Sequence, residues 1–304
     1  MRRRPGLSRT RGTCSPVIGG RGASQGPPTE VSPVIGGRGA AFRPYLSILG
    51  ARFRVLLQYR AAAVAGFGTQ LFWGLIRMMI FTGFYASTTR AQPMSLPQVI
   101  TYVWLGQALF AMLPWSLDAE IRAMIRSGAV AYELVRPLDL YSWWYCRCLA
   151  ARVAPTLLRS LPLFCVAGIF FGLQAPPSWS SGIAWFAATV GSLLVGCAFS
   201  NLMNISLLWT ITGDGISRLV PTLVFALSGM LLPLPLFPNW AQRILAFLPF
   251  RDMVDLPFRL YVGQIPAVDA GSVLAQQIAW TLILMFFGRW LLARGLSRLV
   301  VQGG

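Results

Sequence analysis

The acid and base chemistry open to this chain is narrow. It holds nine carboxylates, Glu30, Asp118, Glu120, Glu133, Asp139, Asp214, Asp252, Asp255 and Asp269, and no His. Every basic side chain is an Arg; there is no Lys. Without His, neither an imidazole general base nor a His-bound metal can be built. A nucleotide-binding P-loop needs a Lys to reach the phosphates, so any ATP hydrolysis that powers this protein belongs to another polypeptide. Cys146 and Cys148 form a C-x-C pair with no second pair to complete a zinc site. With Cys14, Cys165 and Cys197 they make an odd total of five, which argues against a disulfide framework. The sequence thus offers no catalytic, metal or cofactor site. Asp252 and Asp255 read as a carboxylate pair or, better, as polar anchors of a surface helix.

The best-patterned charges lie in the segment 117–151. Asp118 and Glu120 open a helical stretch, and Arg122 and Arg126 close it, the order that complements a helix dipole. Gly128 ends the run, Glu133 follows, and Arg136-Pro137 marks an extended turn. The aromatic group Tyr141, Trp143, Trp144 and Tyr145 suits a membrane interface. A short amphipathic helix of this kind fits a groove on a soluble partner, or lies on the lipid surface. Two further Arg, Arg77 and Arg159, stand deep in apolar runs, where a guanidinium is costly unless it meets polar surroundings. They line a path for an anionic or lipid head group, or they pair with backbone carbonyls; both readings fit the sequence.

The elements that must position these residues are membrane spans. Of the 304 residues 55% are apolar and only 12% charged, about half the charge of an ordinary soluble domain. Several apolar runs reach the roughly 20 residues a bilayer span needs. They predict an all-α polytopic fold with about six spans, near 61–86, 98–116, 152–172, 182–211, 217–236 and 272–294. No carboxylate falls in the middle of a span, which disfavours an ion-coupled carrier. Between the fifth and sixth spans the chain stays apolar but is broken by Pro233, Pro235, Pro238, Pro249 and Pro257. It predicts short re-entrant helices dipping into the outer leaflet.

Before the first span two segments differ from the rest. Residues 1–41 are rich in Arg, Gly, Ser and Pro and repeat SPVIGGRGA at 15–23 and 32–40. They form a basic, low-complexity, disordered tail, either a cytoplasmic extension or the product of a start codon placed too early. Residues 42–60 alternate Phe42, Tyr45, Leu46, Leu49, Phe53, Leu56 and Leu57 with Arg43, Arg52, Arg54 and Arg60, the pattern of an interfacial helix with a cationic face. The net charge of +17 is not a nucleic-acid footprint, because the Arg residues alternate between sides of the spans. With the N-terminus inside, eighteen Arg fall on the inner side and four on the outer, or eleven against four without the tail. The positive-inside rule then places both termini and the 117–151 loop in the cytoplasm.

In order and spacing, residues 42–304 resemble the ABC-2 type permeases. Ile125-Arg126-Ser127-Gly128 followed by Glu133-Leu134-Val135-Arg136-Pro137 is similar to the I-x-x-G…L-x-R-P signature of a subfamily close to bacterial drug-exporter permeases. The resemblance implies a cytoplasmic coupling helix in 117–137 and a homo- or heterodimer of membrane subunits in the plasma (inner) membrane. It also implies a separate ATP-binding subunit. The chain itself is then no enzyme; an amphipathic or lipid-like substrate suits the resemblance, which does not identify it. The alternative is a secondary transporter or channel not powered by ATP. The topology is testable by cysteine labelling with a membrane-impermeant reagent added outside. Ser178→Cys is expected to react and Ser127→Cys to stay protected; the reverse pattern refutes it.

Overall fold

The computed structural model describes residues 60–210 and 213–297, with isolated positions 47, 50, 51 and 54. The tail 1–41 and nearly all of the interfacial helix expected over 42–60 lie outside the described residues. Among the described residues the chain is helical, with no strand. Its helices are α1 (Arg60–Ser87), α2 (Leu96–Ala108), α3 (Ala119–Arg126), α4 (Val130–Leu134), α5 (Leu140–Phe170), α6 (Trp179–Ser206), α7 (Asp214–Leu227), α8 (Asn239–Ala246), α9 (Asp255–Tyr261) and α10 (Ala270–Leu296).

Four of these, α1, α5, α6 and α10, are long and apolar enough to cross a bilayer. α5 begins well before the expected span, because Asp139 caps it by accepting the Ser142 N–H at 2.9 Å. The aromatic group 141–145 is therefore the first turn of a long helix and not a loop. α5 also runs through Pro155 and Pro162, which membrane helices tolerate where neighbours satisfy the freed carbonyls.

The second and fifth apolar runs are shorter as helices than expected. α2 has 13 residues and α7 has 14, each about 20 Å at 1.5 Å per residue, short of a ~30 Å hydrocarbon core. α2 is started by a capping box, Ser95 with Gln98, and gives way to a 3-10 turn at Phe110–Met112 before Pro114. Its continuous apolarity reflects enclosure by protein: Val99 and everything from Thr101 to Ala108 are buried. A helix apolar on all sides is a core helix as readily as a lipid-facing one. α7 ends at a bend where Gly229 takes φ +93, a left-handed geometry that a side chain resists.

α6 is the hub. It packs along α10 and also touches α5 and α9. Its contact with α10 is fixed by Gln277, whose Nε2 donates to Ala188 O at 2.9 Å and to Asp252 O at 2.9 Å. A Cβ at Gly191 would lie 2.1 Å from Gln277 Oε1, so a side chain there would displace the Gln277 amide from these bonds. α1 packs antiparallel on α2 by the same device: a Cβ at Gly74 would meet the fully buried Trp104 ring at 2.5 Å.

Candidate functional site

At one end of the bundle the segment between α2 and α5 folds as the sequence pattern suggests. Asp118 caps α3, its Oδ1 accepting the N–H groups of Glu120 at 2.9 Å and Ile121 at 3.2 Å. Gly128 follows α3 at φ +73, the left-handed residue that closes a helix. The apolar face of the segment is seated on the bundle. Ile121 and Val130 are fully buried against Leu140, Tyr141, Trp144, Ile205 and Leu292, so α3 and α4 rest on α5, α6 and α10.

The seat is locked by charge. Arg147, nearly buried on the second turn of α5, donates to Asp118 Oδ1 and Oδ2 at 3.1 Å and to Glu120 Oε2 at 2.7 Å. Asn204 of α6 accepts the Asp118 N–H through its Oδ1 at 3.0 Å. Arg122 reaches Asp214 at the start of α7 at 2.5 Å. Three long-sequence contacts thus tie α3 to α5, α6 and α7. The Arg147 clamp was not singled out in the sequence; its signal is an Arg inside an aromatic run that itself becomes helix. Below the clamp a crevice of about 340 Å³ is lined by Asp118, Arg152, Ser200 and Asn204, among others.

What the segment presents outward is different. Arg126 is exposed. On and after α4, Tyr132 is 79% and Val135 84% exposed, although both are apolar or aromatic. Glu133 and Arg136 pair with each other at 3.1 Å, and Pro137 is exposed beside them. Of the predicted residues, then, Asp118, Glu120 and Arg122 face inward partners, Gly128 shapes the turn, and Arg126, Arg136 and Pro137 lie on the outer surface.

The two deep Arg part company. Arg77 lines a cavity of about 910 Å³ between α1, α2 and the end of α7. Its Nη2 donates to the carbonyls of Met230 and Leu231, the latter at 2.6 Å, where the bend at Gly229 has ended the α7 hydrogen-bond ladder. Arg159 does not line this cavity; its guanidinium lies against Gly66 of α1. Arg152, expected at a span end, is buried and donates to Cys148 O and to Ser200 Oγ. Arg289 pairs with Asp139 at 3.0 Å and lies over the Tyr141 ring.

The Pro-broken segment forms α8, α9 and 3-10 turns packed on α6. Asp252 and Asp255 are not surface anchors: both are buried, at 0% and 1% exposure. Asp255 accepts from Tyr102 Oη at 3.2 Å and Leu234 N at 3.2 Å and lies 3.6 Å from Arg259. Asp252 accepts from Gln276 Nε2 at 2.9 Å, with Arg251 4.0 Å away. Burial pushes the Asp252 carboxyl up to about 7, against the pull of Arg251, and that of Asp255 up to about 6 against Arg259. Here they knit the segment to α2 and α10.

Long apolar helices around buried polar clamps, capped at one end by a pinned amphipathic segment, define a polytopic helical membrane protein. The family model described as "ABC-2 family transporter protein" matches residues 71–303, and the chain belongs to that family. It is the membrane permease of an ABC transporter. It matches no curated relative and no solved structure.

The raised Asp252 value has a sign. A carboxyl that ionises near 4 when unfolded and near 7 when folded holds its proton longer in the folded state. Stability therefore falls as pH rises from about 4 to 7 and is fully reduced above that window. Asp252→Asn keeps an oxygen for Gln276 and removes the charge. Its thermal midpoint is expected to match wild type at pH 4 and to exceed it at pH 8. An equal pH dependence in both proteins contradicts the assignment.

Proposed function

We propose that this chain is the permease half of an ABC exporter of the cell membrane, and that its α3–α4 segment docks a separate ATP-binding subunit. The observation that carries the proposal is the two-sided construction of that segment. Its inner side is fixed to three helices by Arg147, Asn204 and Arg122. Its outer side offers Tyr132, Val135 and Arg126. Exposed aromatic and Arg side chains are what binding hot spots are made of. A push on the outer side reaches α5 through the Arg147 pair and α7 through Arg122–Asp214.

In this reading α2, lengthened by its 3-10 turn at Phe110–Met112, and α7 complete six passes, both termini are cytoplasmic, and two permeases pair to enclose the path. Apolar side chains exposed along α1 and α10, such as Trp73, Met79, Phe286 and Phe287, supply faces for lipid and for the second permease. An uncoupled secondary transporter or channel has no use for a rigidly held, outward-facing docking segment, and the family match favours the ATP-driven reading.

The test is co-purification with the adjacent ATP-binding subunit and its rate of ATP hydrolysis. Replacing Tyr132 and Val135 by Asp together with Arg126→Glu spares every clamp contact, so membrane insertion should persist. Loss of two or three hot-spot side chains, each worth about 2 kcal/mol, should weaken docking by 100-fold or more. Undiminished co-purification and hydrolysis would remove the segment from the coupling route.

A further inference from the structure

The cavity between α1, α2 and α7 carries a polar group with nothing to bind. Gln70 of α1 is 5% exposed, lines the cavity, and its Oε1 accepts no hydrogen bond. A buried carbonyl oxygen left unpaired is costly; several buried polar atoms lack a partner among the described residues, and of these Gln70 Oε1 is the one on a residue lining this cavity. The antiparallel register set by Gly74 on Trp104 and by Tyr85 on Met94 places Gln70 opposite Gln107 of α2. Gln107 is 3% exposed and lines the same cavity. Apart from Thr69, Arg77 and Gln92 the rest of the wall is apolar, Trp73, Ile80, Phe81 and Phe225 among it. Trp73 and Ile80 are also more than half exposed, so it opens sideways.

Depth decides what sits there. Gln70 lies 17 residues below the end of α1 at Ser87, about 26 Å down the helix. That places it roughly 4 Å from the opposite edge of a ~30 Å hydrocarbon core, out of reach of headgroups on the 88–95 side. A bulk lipid entering from the 88–95 end would lay acyl tails, which carry no donor, against Gln70. Arg77 lies higher in the cavity and gives its Nη2 to the carbonyls of Met230 and Leu231; a carboxylate competitor tests its charge against Gln70 as the selecting group. No carboxylate lines the cavity to hold a cation. What the site lacks is a hydrogen-bond donor on an apolar body.

We propose that this cavity binds an uncharged amphiphile, whose apolar part fills the space between α1, α2 and α7 and whose hydroxyl or amide N–H donates to Gln70 Oε1. The proposal rests on the permease reading and gives the transported molecule a chemical class. At about 910 Å³ the cavity matches the volume of sites that take drug-sized molecules.

The experiment uses the full chain in lipid nanodiscs without any ATP-binding subunit, so its failure would leave the docking reading untouched. The probe is hexadecanol carrying a photoactivatable diazirine, with labelled peptides mapped by mass spectrometry. Saturable labelling is expected on α1, α2 and α7. Unlabelled hexadecanol should compete about 3- to 10-fold better than hexadecane, the worth of one net hydrogen bond, and better than hexadecanoate. Gln70→Leu should abolish the preference for alcohol over alkane while raising the thermal midpoint of the unliganded protein, because an unpaired oxygen is gone. Gln107→Leu serves as a second variant should Gln70→Leu fail to fold, and is expected to weaken the same preference. Non-saturable labelling, equal competition by the alkane, stronger competition by the carboxylate, or an unchanged alcohol preference in the folded variants would each overturn the proposal.

Discussion

Inside a membrane protein a polar group has to find its partner within the chain, and the architecture of this permease follows from how that need is met. Arg147 is answered by Asp118 and Glu120, Arg77 by two carbonyls freed at the end of α7, and Arg152 by Cys148 O and Ser200. Gln277 is answered by Ala188 and Asp252 carbonyls. Except for Arg152 to Cys148 O, which stays within α5, each of these bonds joins elements far apart in sequence. Together they fix which helices touch, because breaking any one leaves a charge or amide in low dielectric. Apolar packing supplies bulk adhesion but little choice of partner, since lipid is as apolar as Leu.

The same constraint divides the molecule by task. At the loop end, charge pairs and the Asn204 bond connect a surface segment to α5, α6 and α7, so a displacement of α3 cannot be absorbed locally. At the far end, Asp252 and Asp255 hold the Pro-broken helices against α2, α6 and α10. Between them lies a cavity lined by Gln70, whose Oε1 is one of several buried polar atoms left without a partner. A site built to receive a ligand keeps an unpaired group at some cost in stability.

Much of this was legible in the sequence. Helical periodicity, dipole-ordered charges and Gly128 gave the position and ends of α3 almost to the residue, since caps and glycine stops are local chemistry. The long runs of α1, α6 and α10 were equally readable from apolar length. Other features depend on contacts that no local pattern encodes. α2 reads as a span because enclosure by protein and exposure to lipid demand the same side chains. The aromatic stretch 141–145 reads as an interface, yet Asp139 starts a helix there. Asp252 and Asp255 look like surface anchors until their partners Gln276 and Tyr102, from distant elements, bury them. Arg122 was legible as a charged face, but its partner Asp214, 92 residues on, was not.

The central claim is that motion of the ATP-binding subunit enters the spans through the Arg147 clamp. The direct measurement is the distance between spin labels at Leu157 of α5 and Leu219 of α7, both exposed, in a cysteine-replaced permease bound to its ATP-binding subunit. The account predicts that ATP shifts this distance in the otherwise wild-type protein. In Arg147→Met, with equal ATP-binding subunit bound, the shift should shrink to what the Arg122–Asp214 route to α7 delivers alone. An ATP-driven shift of the same size in Arg147→Met would contradict it.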